Sequence, residues 1–211
     1  NPRWCQPLSV WKEYFSDWIV NSEPASILNI SAFFDLRMTY GDQALFNKLE
    51  DHIFNELKGR SAFFYMLAQS IIAFRPPLNV FRSIVTETSG KNAEVIDIKN
   101  CLSPVIMFAR IFSLYHNIRH KGTVERMNAL SSLKLMDAQT CEEVIFHYNF
   151  LMQQRLRHQV YQVAGRGVAD NWVEPKKMSE IGQMILKKVF LQINSYDDHL
   201  SVSFMGGQKG M

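Results

Sequence analysis

The sequence predicts a mainly α protein, a multi-helix bundle of seven or eight helices, with one short β-hairpin as an open alternative. Two observations lead to this fold class. Apolar residues recur at helical spacings of three and four positions, beginning with Trp11, Tyr14, Phe15, Trp18 and Ile19. Capping and helix-breaking residues separate such segments at short intervals. With 47% apolar residues, the 211-residue chain can bury a sizeable core.

Four helices are predicted in the N-terminal third of the chain. The first carries the aromatic residues named above, and the second covers 24–40, where some residues also alternate as they would in a strand. Asp42 is expected to cap the third helix and Ser61 the fourth, which ends before Pro76-Pro77. The third and fourth helices are predicted at 43–57 and 62–74.

The middle of the chain contains the open alternative. Residues 78–85 fit either a strand or a short helix, and 86–92 have the composition of a turn. A hairpin of 81–85 with 93–98 is therefore one interpretation. A polar loop carrying Asp97 and Lys99 should then lead into a strongly apolar central helix that begins at Ser103-Pro104.

Three further helices are predicted in the C-terminal half. Thr123 and Asp137 are expected to cap the first two, because both precede segments of helical periodicity. The predicted segments are helices at 123–133 and 137–163, a loop at 165–175 and a last helix at 179–204. Residues 205–211 should form a mobile, polar tail.

Composition excludes several classes of function. The chain has 23 basic and 20 acidic residues, a net charge of +3 that is too balanced to indicate nucleic-acid binding. The three cysteines are widely spaced, which favours a reducing cytoplasm over a disulfide framework. No apolar run reaches the roughly 18 residues that a membrane span needs. The start at Asn1 lacks both a methionine and a signal-peptide pattern, so a fragment of a longer protein is expected.

Two pairs of charged residues are candidates for ligand contact. Lys99, close to Asp97 and to helix-terminal N–H groups, suits phosphate, although a solvated loop would have the same composition. Asp35 and Arg37 lie among aromatic residues, where a charge needs a partner. The structural interpretation is a buried ion pair or a helix-terminal hydrogen bond. The functional interpretation is an interdomain latch or a site-facing residue.

Two histidine-containing groups favour structural interpretations. Arg155, His158 and Gln159 share one helix face, which could bind an anion but more readily ties helices together. His116 and His120 have a spacing suited to a metal, but no carboxylate joins them, and cations near a helix C-terminus are stabilised by its dipole. No metal site is therefore predicted.

The chain lacks the motifs of a self-sufficient enzyme. It contains no phosphate-binding P-loop, no G-x-G-x-x-G and no G-x-S-x-G. A nucleotidyltransferase needs carboxylates that hold two Mg²⁺ ions against a triphosphate, and the chain has no D-x-D. No catalytic residue is therefore assigned.

Eight separated blocks nevertheless resemble the C-terminal region of nucleotidyltransferases that follow cyclic-nucleotide-binding and CBS modules in bacterial signalling proteins. The pattern is also distantly similar to the helical domain of protein-PII uridylyltransferase and glutamine synthetase adenylyltransferase. The blocks are Asn1-Pro2-Arg3-Trp4-Cys5, Phe33-Phe34-Asp35-Leu36-Arg37 with Gly41-Asp42, Arg75-Pro76-Pro77-Leu78, Ile96-Asp97-Ile98-Lys99, Ala109-Arg110, Thr123-Val124-Glu125-Arg126, Arg155-Leu156-Arg157-His158-Gln159 and Asp170-Asn171-Trp172-Val173-Glu174-Pro175.

The resemblance implies a helical, non-catalytic substrate-binding domain at 31–204, with 1–30 as a lead-in from an upstream nucleotidyltransferase domain of the same chain. That upstream domain would use Mg²⁺ and a nucleoside triphosphate, with a protein as a possible acceptor. The implied substrate contacts are Asp35, Arg37, Asp97, Lys99 and Arg110. The chain departs from the relatives at 100–103, where they continue the loop with glycines.

Two other functions stay open at this point. The first is a catalytically inactive helical domain that relays or scaffolds a signal, which an upstream segment without D-x-D would favour. The second is a dimerisation bundle, suggested by the aromatic face of Trp11, Phe15 and Trp18, so an oligomer is a further expectation.

Overall fold

A computed structural model describes residues 4–21, 27, 30–79, 83–88 and 94–206. Within these residues the prediction of a mainly α bundle is confirmed, because eight α-helices have both ends in the described parts of the chain. They are α1 (Leu8–Val20), α2 (Gln43–Glu56), α3 (Ser61–Ile72), α4 (Ile98–Tyr115), α5 (Thr123–Ser132), α6 (Ala138–Ala164), α7 (Glu180–Ile193) and α8 (Tyr196–Phe204).

A small antiparallel sheet accompanies the helices. Its strands, in spatial order, are β1 (Glu87–Thr88), β2 (Glu94–Asp97) and β3 (Trp172–Val173). The hairpin alternative is thus confirmed for β2, but its partner strand begins at Glu87 and not within 81–85. Residues 80–82 of that predicted strand lie outside the described residues. The strand β3 lies in the predicted 165–175 loop. The sequence did not indicate it, because two residues are too few to show an alternating pattern.

Side-chain caps define several helix starts. Asp42 accepts a hydrogen bond from Ala44 N and Asp137 from Thr140 N, which confirms both predicted caps. The caps predicted at Ser61 and Thr123 are wrong by one position. Both residues are already helical, and the backbone turns into the helix at the residue before each of them.

Two predicted helices are shorter than their patterns suggested. In 24–40, the chain forms a 3₁₀ helix at Ala32–Asp35 and is extended at Leu36, while 22–26 and 28–29 lie outside the described residues. The predicted helix at 179–204 is interrupted between α7 and α8. There the Ser195 hydroxyl donates to the carbonyl of Gln192, a local hydrogen bond that competes with helix continuation.

The central helix begins earlier than predicted. Asp97 is its N-cap, so α4 starts at Ile98, and Pro104 lies inside the helix and not in its first turn. Pro104 cannot donate to the carbonyl of Asn100, which lies on an exposed residue and is accessible to water. Thirteen of the 18 residues of α4 are buried, as expected of a helix surrounded by others. It packs against α3, α5, α6 and α7.

One hydrophobic core extends through the described chain. Phe15 and Ile19 of α1, Phe108 of α4 and Leu200 of α8 belong to the same cluster of buried side chains. Of the predicted tail, Met205 also packs against this core, and 207–211 lie outside the described residues. No helix in the described ranges is both long and apolar enough to cross a bilayer.

Candidate functional site

The best-defined charged cluster joins Asp35 to Arg110 and Arg126. The carboxylate of Asp35 accepts from Nε and Nη2 of Arg110 and from Nη2 of Arg126. Nη1 of Arg110 donates to Ser31 Oγ at 3.0 Å, and Nε of Arg126 donates to the carbonyl of His120 at 2.8 Å. The cluster therefore ties the 3₁₀ helix, α4 and α5 to one another.

Two guanidinium groups share one carboxylate in this cluster. Arg126 is 1% exposed, and burial lowers its pKa more than the neighbouring Asp35 raises it. Its Nη1 is the one buried side-chain nitrogen or oxygen without a hydrogen bond among the described residues. The arrangement thus acts as an internal tie, in which Arg110 and not Arg37 is paired with Asp35.

The five residues predicted to contact substrate do not converge on one point. Lys99 and Arg110 lie on the same helix eleven positions apart, which corresponds to about 16 Å along its axis. Asp35 contacts Arg110, and Arg37 is exposed beyond the 3₁₀ helix. Asp97 and Lys99 form a separate group at the start of α4. The substrate-contact role of all five residues stays a prediction.

The start of α4 is built against the small sheet. Oδ1 of Asp97 accepts from the backbone N–H groups of Lys99 at 2.9 Å and Asn100 at 3.1 Å, so this carboxylate is used as a helix cap. The N–H of Ile98 donates to the carbonyl of Asn171, next to β3. The side chain of Lys99 is exposed, so it remains available to a ligand or to another domain.

The late part of α6 is joined to the segment before β3 by a polar network. Nε of Arg155 donates to Oδ1 of Asn171, and His158 Nε2 lies 2.8 Å from Oδ1 of Asp170. Gln162 accepts from the backbone N–H of Asp170. Desolvation raises the pKa of Asp170, but the hydrogen bonds from His158, Trp172 and Gln162 outweigh it, so the pKa is lowered. This network agrees with the interpretation that Arg155, His158 and Gln159 have a structural role and do not serve to bind an anion.

A cleft opens beside this network, between the late part of α6 and the start of α7. We call it the α6–α7 cleft, and its volume is about 530 Å³. Small-molecule sites in proteins usually have volumes in the range of about 300–1,000 Å³. The residues that line it are Gln154, Arg157, His158, Tyr161, Gln162, Val173, Glu174, Lys177, Met178, Ser179 and Gly182.

A smaller hollow of about 220 Å³ is lined in part by residues of β1 and β2. Arg75 and Pro77 also line it, as do Asp97 and Asn100 at the start of α4. Arg75 is paired with Asp197 at 3.1 Å. The start of α4 therefore borders this hollow.

The described residues offer no set of ligands for a metal ion. No group of three or more His, Cys, Asp or Glu side chains in the described ranges is arranged to hold one. Burial lowers the pKa of His116, and the carbonyl of His120 accepts a hydrogen bond from Arg126. Burial likewise raises the pKa of the Cys101 thiol to about 12, which leaves it protonated. The Mg²⁺ that nucleotidyl transfer implies does not fit any group of these side chains.

Sequence reasoning found some of the clustered residues and missed others. The spacing of Arg155, His158 and Gln159 placed them on one face, and that face does meet the segment at 170–171. Arg126 was named only within a block of the family resemblance, and Tyr161 and Lys177 were not singled out. Tyr161 and Lys177 are on segments separated by β3, so only the tertiary structure brings them to the same cleft.

Comparison with known proteins identifies the family of the chain. Residues 61–204 match the family described as "Putative nucleotidyltransferase substrate binding domain". No curated protein and no solved structure matches the chain. The match begins at α3, ends with α8, and includes the cleft, the small sheet and both arginines of the buried cluster. Because it covers more than half of the sequence, the chain belongs to this family of nucleotidyltransferase substrate-binding domains.

Proposed function

We propose that the chain is the non-catalytic substrate-binding part of a bacterial signal-transduction nucleotidyltransferase, similar in type to protein-PII uridylyltransferase. The observation that supports this most directly is the juxtaposition at the small sheet. Three segments meet there: the start of α4 with the exposed Lys99, the late part of α6, and β3. A cleft large enough for a small molecule opens beside the sheet.

The chemistry of transfer belongs to an upstream nucleotidyltransferase domain of the same protein, the partner that the family description implies. Mg²⁺ and the triphosphate's reacting phosphates would be held there, because the described residues provide no carboxylate set for the metal. A protein acceptor and regulatory CBS or cyclic-nucleotide-binding modules complete the proposal. A cytoplasmic location fits the three widely spaced cysteines, which form no C-x-x-C pair.

Lys99 is the residue through which we test this function. In the protein that carries this chain with its catalytic domain, Lys99→Ala should lower kcat/KM for nucleotidyl transfer by about tenfold. The reason is that an exposed ammonium at a helix start suits a phosphate group, and such a charge-assisted contact is worth roughly 1.5–3 kcal/mol. The measurement is steady-state transfer with each nucleoside triphosphate and Mg²⁺.

Lys48→Ala is the matched control, because Lys48 is also exposed but lies on α2 and lines neither hollow beside the sheet. Asp97→Ser adds a second comparison, since serine preserves a helix cap but removes the carboxylate. Loss of transfer in Asp97→Ser at unchanged stability would give Asp97 a contact role. Wild-type turnover in Lys99→Ala would contradict the proposed role of Lys99.

The coding sequence upstream of Asn1 tests the wider proposal. We expect a strand, a Gly-Ser turn and a helix, followed by D-x-D. An upstream segment whose carboxylates are replaced would remove the enzyme interpretation. A signalling scaffold made of the same helices would then take its place.

A further inference from the structure

We propose that the α6–α7 cleft binds a nucleoside phosphate, with the phosphate group at Arg157 and the planar base against Tyr161. This inference rests on the proposed function and specifies the class of substrate that the domain would hold. It concerns a place in the fold that is separate from Lys99 at the start of α4.

The charge of the cleft favours an anion. Lys177 is paired with Glu174 at 2.7 Å, and His158 is hydrogen-bonded to Asp170. Arg157 also lines the cleft and has no carboxylate partner among the described residues. The guanidinium of Arg157 therefore gives the cleft wall a positive charge that no described carboxylate balances. A guanidinium group presents several N–H donors in a plane, which matches the oxygens of a phosphate.

The aromatic wall favours a ligand with a planar ring. Tyr161 is 67% exposed, so its ring is accessible to a ligand. Its ring is a neighbour of the Arg157 guanidinium, whose carbon lies 5.9 Å from the ring centroid. Because the guanidinium lies over one face of the ring, a base would stack on the opposite face, with its phosphate meeting Arg157 at the edge of the ring. Such stacking tolerates different bases.

The size and rigidity of the cleft favour one small molecule over an extended peptide. Its volume of about 530 Å³ suits a mononucleotide, and an extended chain would need a longer groove. The walls are held in place by the contact of His158 with Asp170 and by the Ser179 cap, whose hydroxyl accepts from Gly182 N. These contacts hold the backbone of both walls in place, which lowers the entropic cost of binding.

Isothermal titration of the 211-residue chain tests the inference without catalysis. The probes are AMP, UMP, adenosine and inorganic phosphate, all in EDTA so that no metal contributes. We expect both nucleotides to bind, with adenosine and phosphate each at least about tenfold weaker, because each offers only one of the two contacts. Binding of AMP should weaken as salt is raised, because exposed charges are screened.

Variants assign the binding to the cleft. Arg157→Ala should raise the Kd for AMP about tenfold, and Tyr161→Leu about fivefold, because leucine keeps the apolar surface but removes the ring. Arg166→Ala is the control, since Arg166 is exposed nearby but does not line the cleft. Circular dichroism checks that each variant folds. We expect folding to be retained, because Arg157 and Tyr161 are both exposed.

Three results would overturn the inference. They are no heat of binding with either nucleotide, wild-type affinity in Arg157→Ala, and phosphate binding as tightly as AMP. The last result would mean that the cleft holds an anion without reading a nucleoside. If transfer depends on Lys99 while AMP does not bind here, the proposed function stands and this inference falls. If AMP binds as expected and no transfer is found, the inference stands and the proposed function falls.

Discussion

At the scale of single residues, the clearest feature is the asymmetric charge of the buried cluster. One carboxylate, Asp35, serves both Arg110 and Arg126, which are almost completely removed from water. A guanidinium group in such surroundings is stable only while its partner remains. Asp35 is therefore the member of the cluster whose loss leaves the most uncompensated charge.

Replacing Asp35 should accordingly be costly. We expect Asp35→Ala to lower the free energy of unfolding by about 3 kcal/mol, within the range known for breaking a buried pair. Asp51→Ala is the matched control. Asp51 pairs with Arg119, but its side chain is 58% exposed, so the loss there should be at most about 1 kcal/mol. Urea unfolding of the three proteins gives the comparison, and equal losses for both variants would contradict the assigned role of the cluster.

At the scale of elements, one histidine connects three helices. His147 of α6 is buried, and its ring nitrogens contact Tyr196 Oη of α8 at 2.8 Å and Gln192 Oε1 of α7 at 3.0 Å. Desolvation lowers the pKa of His147 from its ordinary value of 6.5, more than Gln192 and Glu143 raise it, and Lys188 lowers it further. The folded protein therefore holds this imidazole in its neutral form.

The sign of the resulting pH dependence follows from linkage. Because the unfolded chain takes up a proton near pH 6.5 and the folded chain resists it, stability should fall as the pH drops below 6.5 towards the lowered pKa. The slope contributed by one such group is at most about 1.4 kcal/mol per pH unit. Urea titrations between pH 7.5 and 5.5 should show a steeper decline for the wild type than for His147→Gln. Parallel curves would show that His147 does not titrate as expected.

At the scale of the whole molecule, the predicted lead-in at 1–30 and the predicted domain at 31–204 contribute residues to one hydrophobic core. α1 packs against α2, and Phe15 is completely buried in the common core. The aromatic face that suggested a dimer is also partly used within the chain. Trp18 stacks on Tyr14 and contacts Phe33 of the 3₁₀ helix.

A shared core predicts cooperative unfolding of the entire chain. Thermal or urea transitions followed by tryptophan fluorescence and by far-ultraviolet circular dichroism should coincide. Three of the four tryptophans, Trp4, Trp11 and Trp18, report on the N-terminal aromatic cluster, whereas circular dichroism averages over all helices. An earlier transition in fluorescence would mean that 1–30 unfolds as a separate lead-in.

Local sequence alone determined most of the helices of this protein. Periodic apolar residues and caps such as Asp42 and Asp137 act within a few positions, so α2 and α6 could be predicted closely from neighbouring residues. Where local signals conflict, the prediction failed. Pro104 resembled a helix start, yet the cap at Asp97 and the hydrogen bond from Ile98 N to the Asn171 carbonyl start α4 five residues before Ser103.

The tertiary structure decided which charged residues work together. Asp35 and Arg126 are 91 positions apart, and Tyr161 and Lys177 lie on either side of β3, so no spacing along the chain predicts either association. Packing around α4 brings the first pair into contact and removes it from water, while the packing of α6 against β3 places the second pair at one cleft. The sequence determined the helices because helix formation is local. The site was decided by packing, because only the folded chain brings residues that are far apart in the sequence within interaction distance of one another.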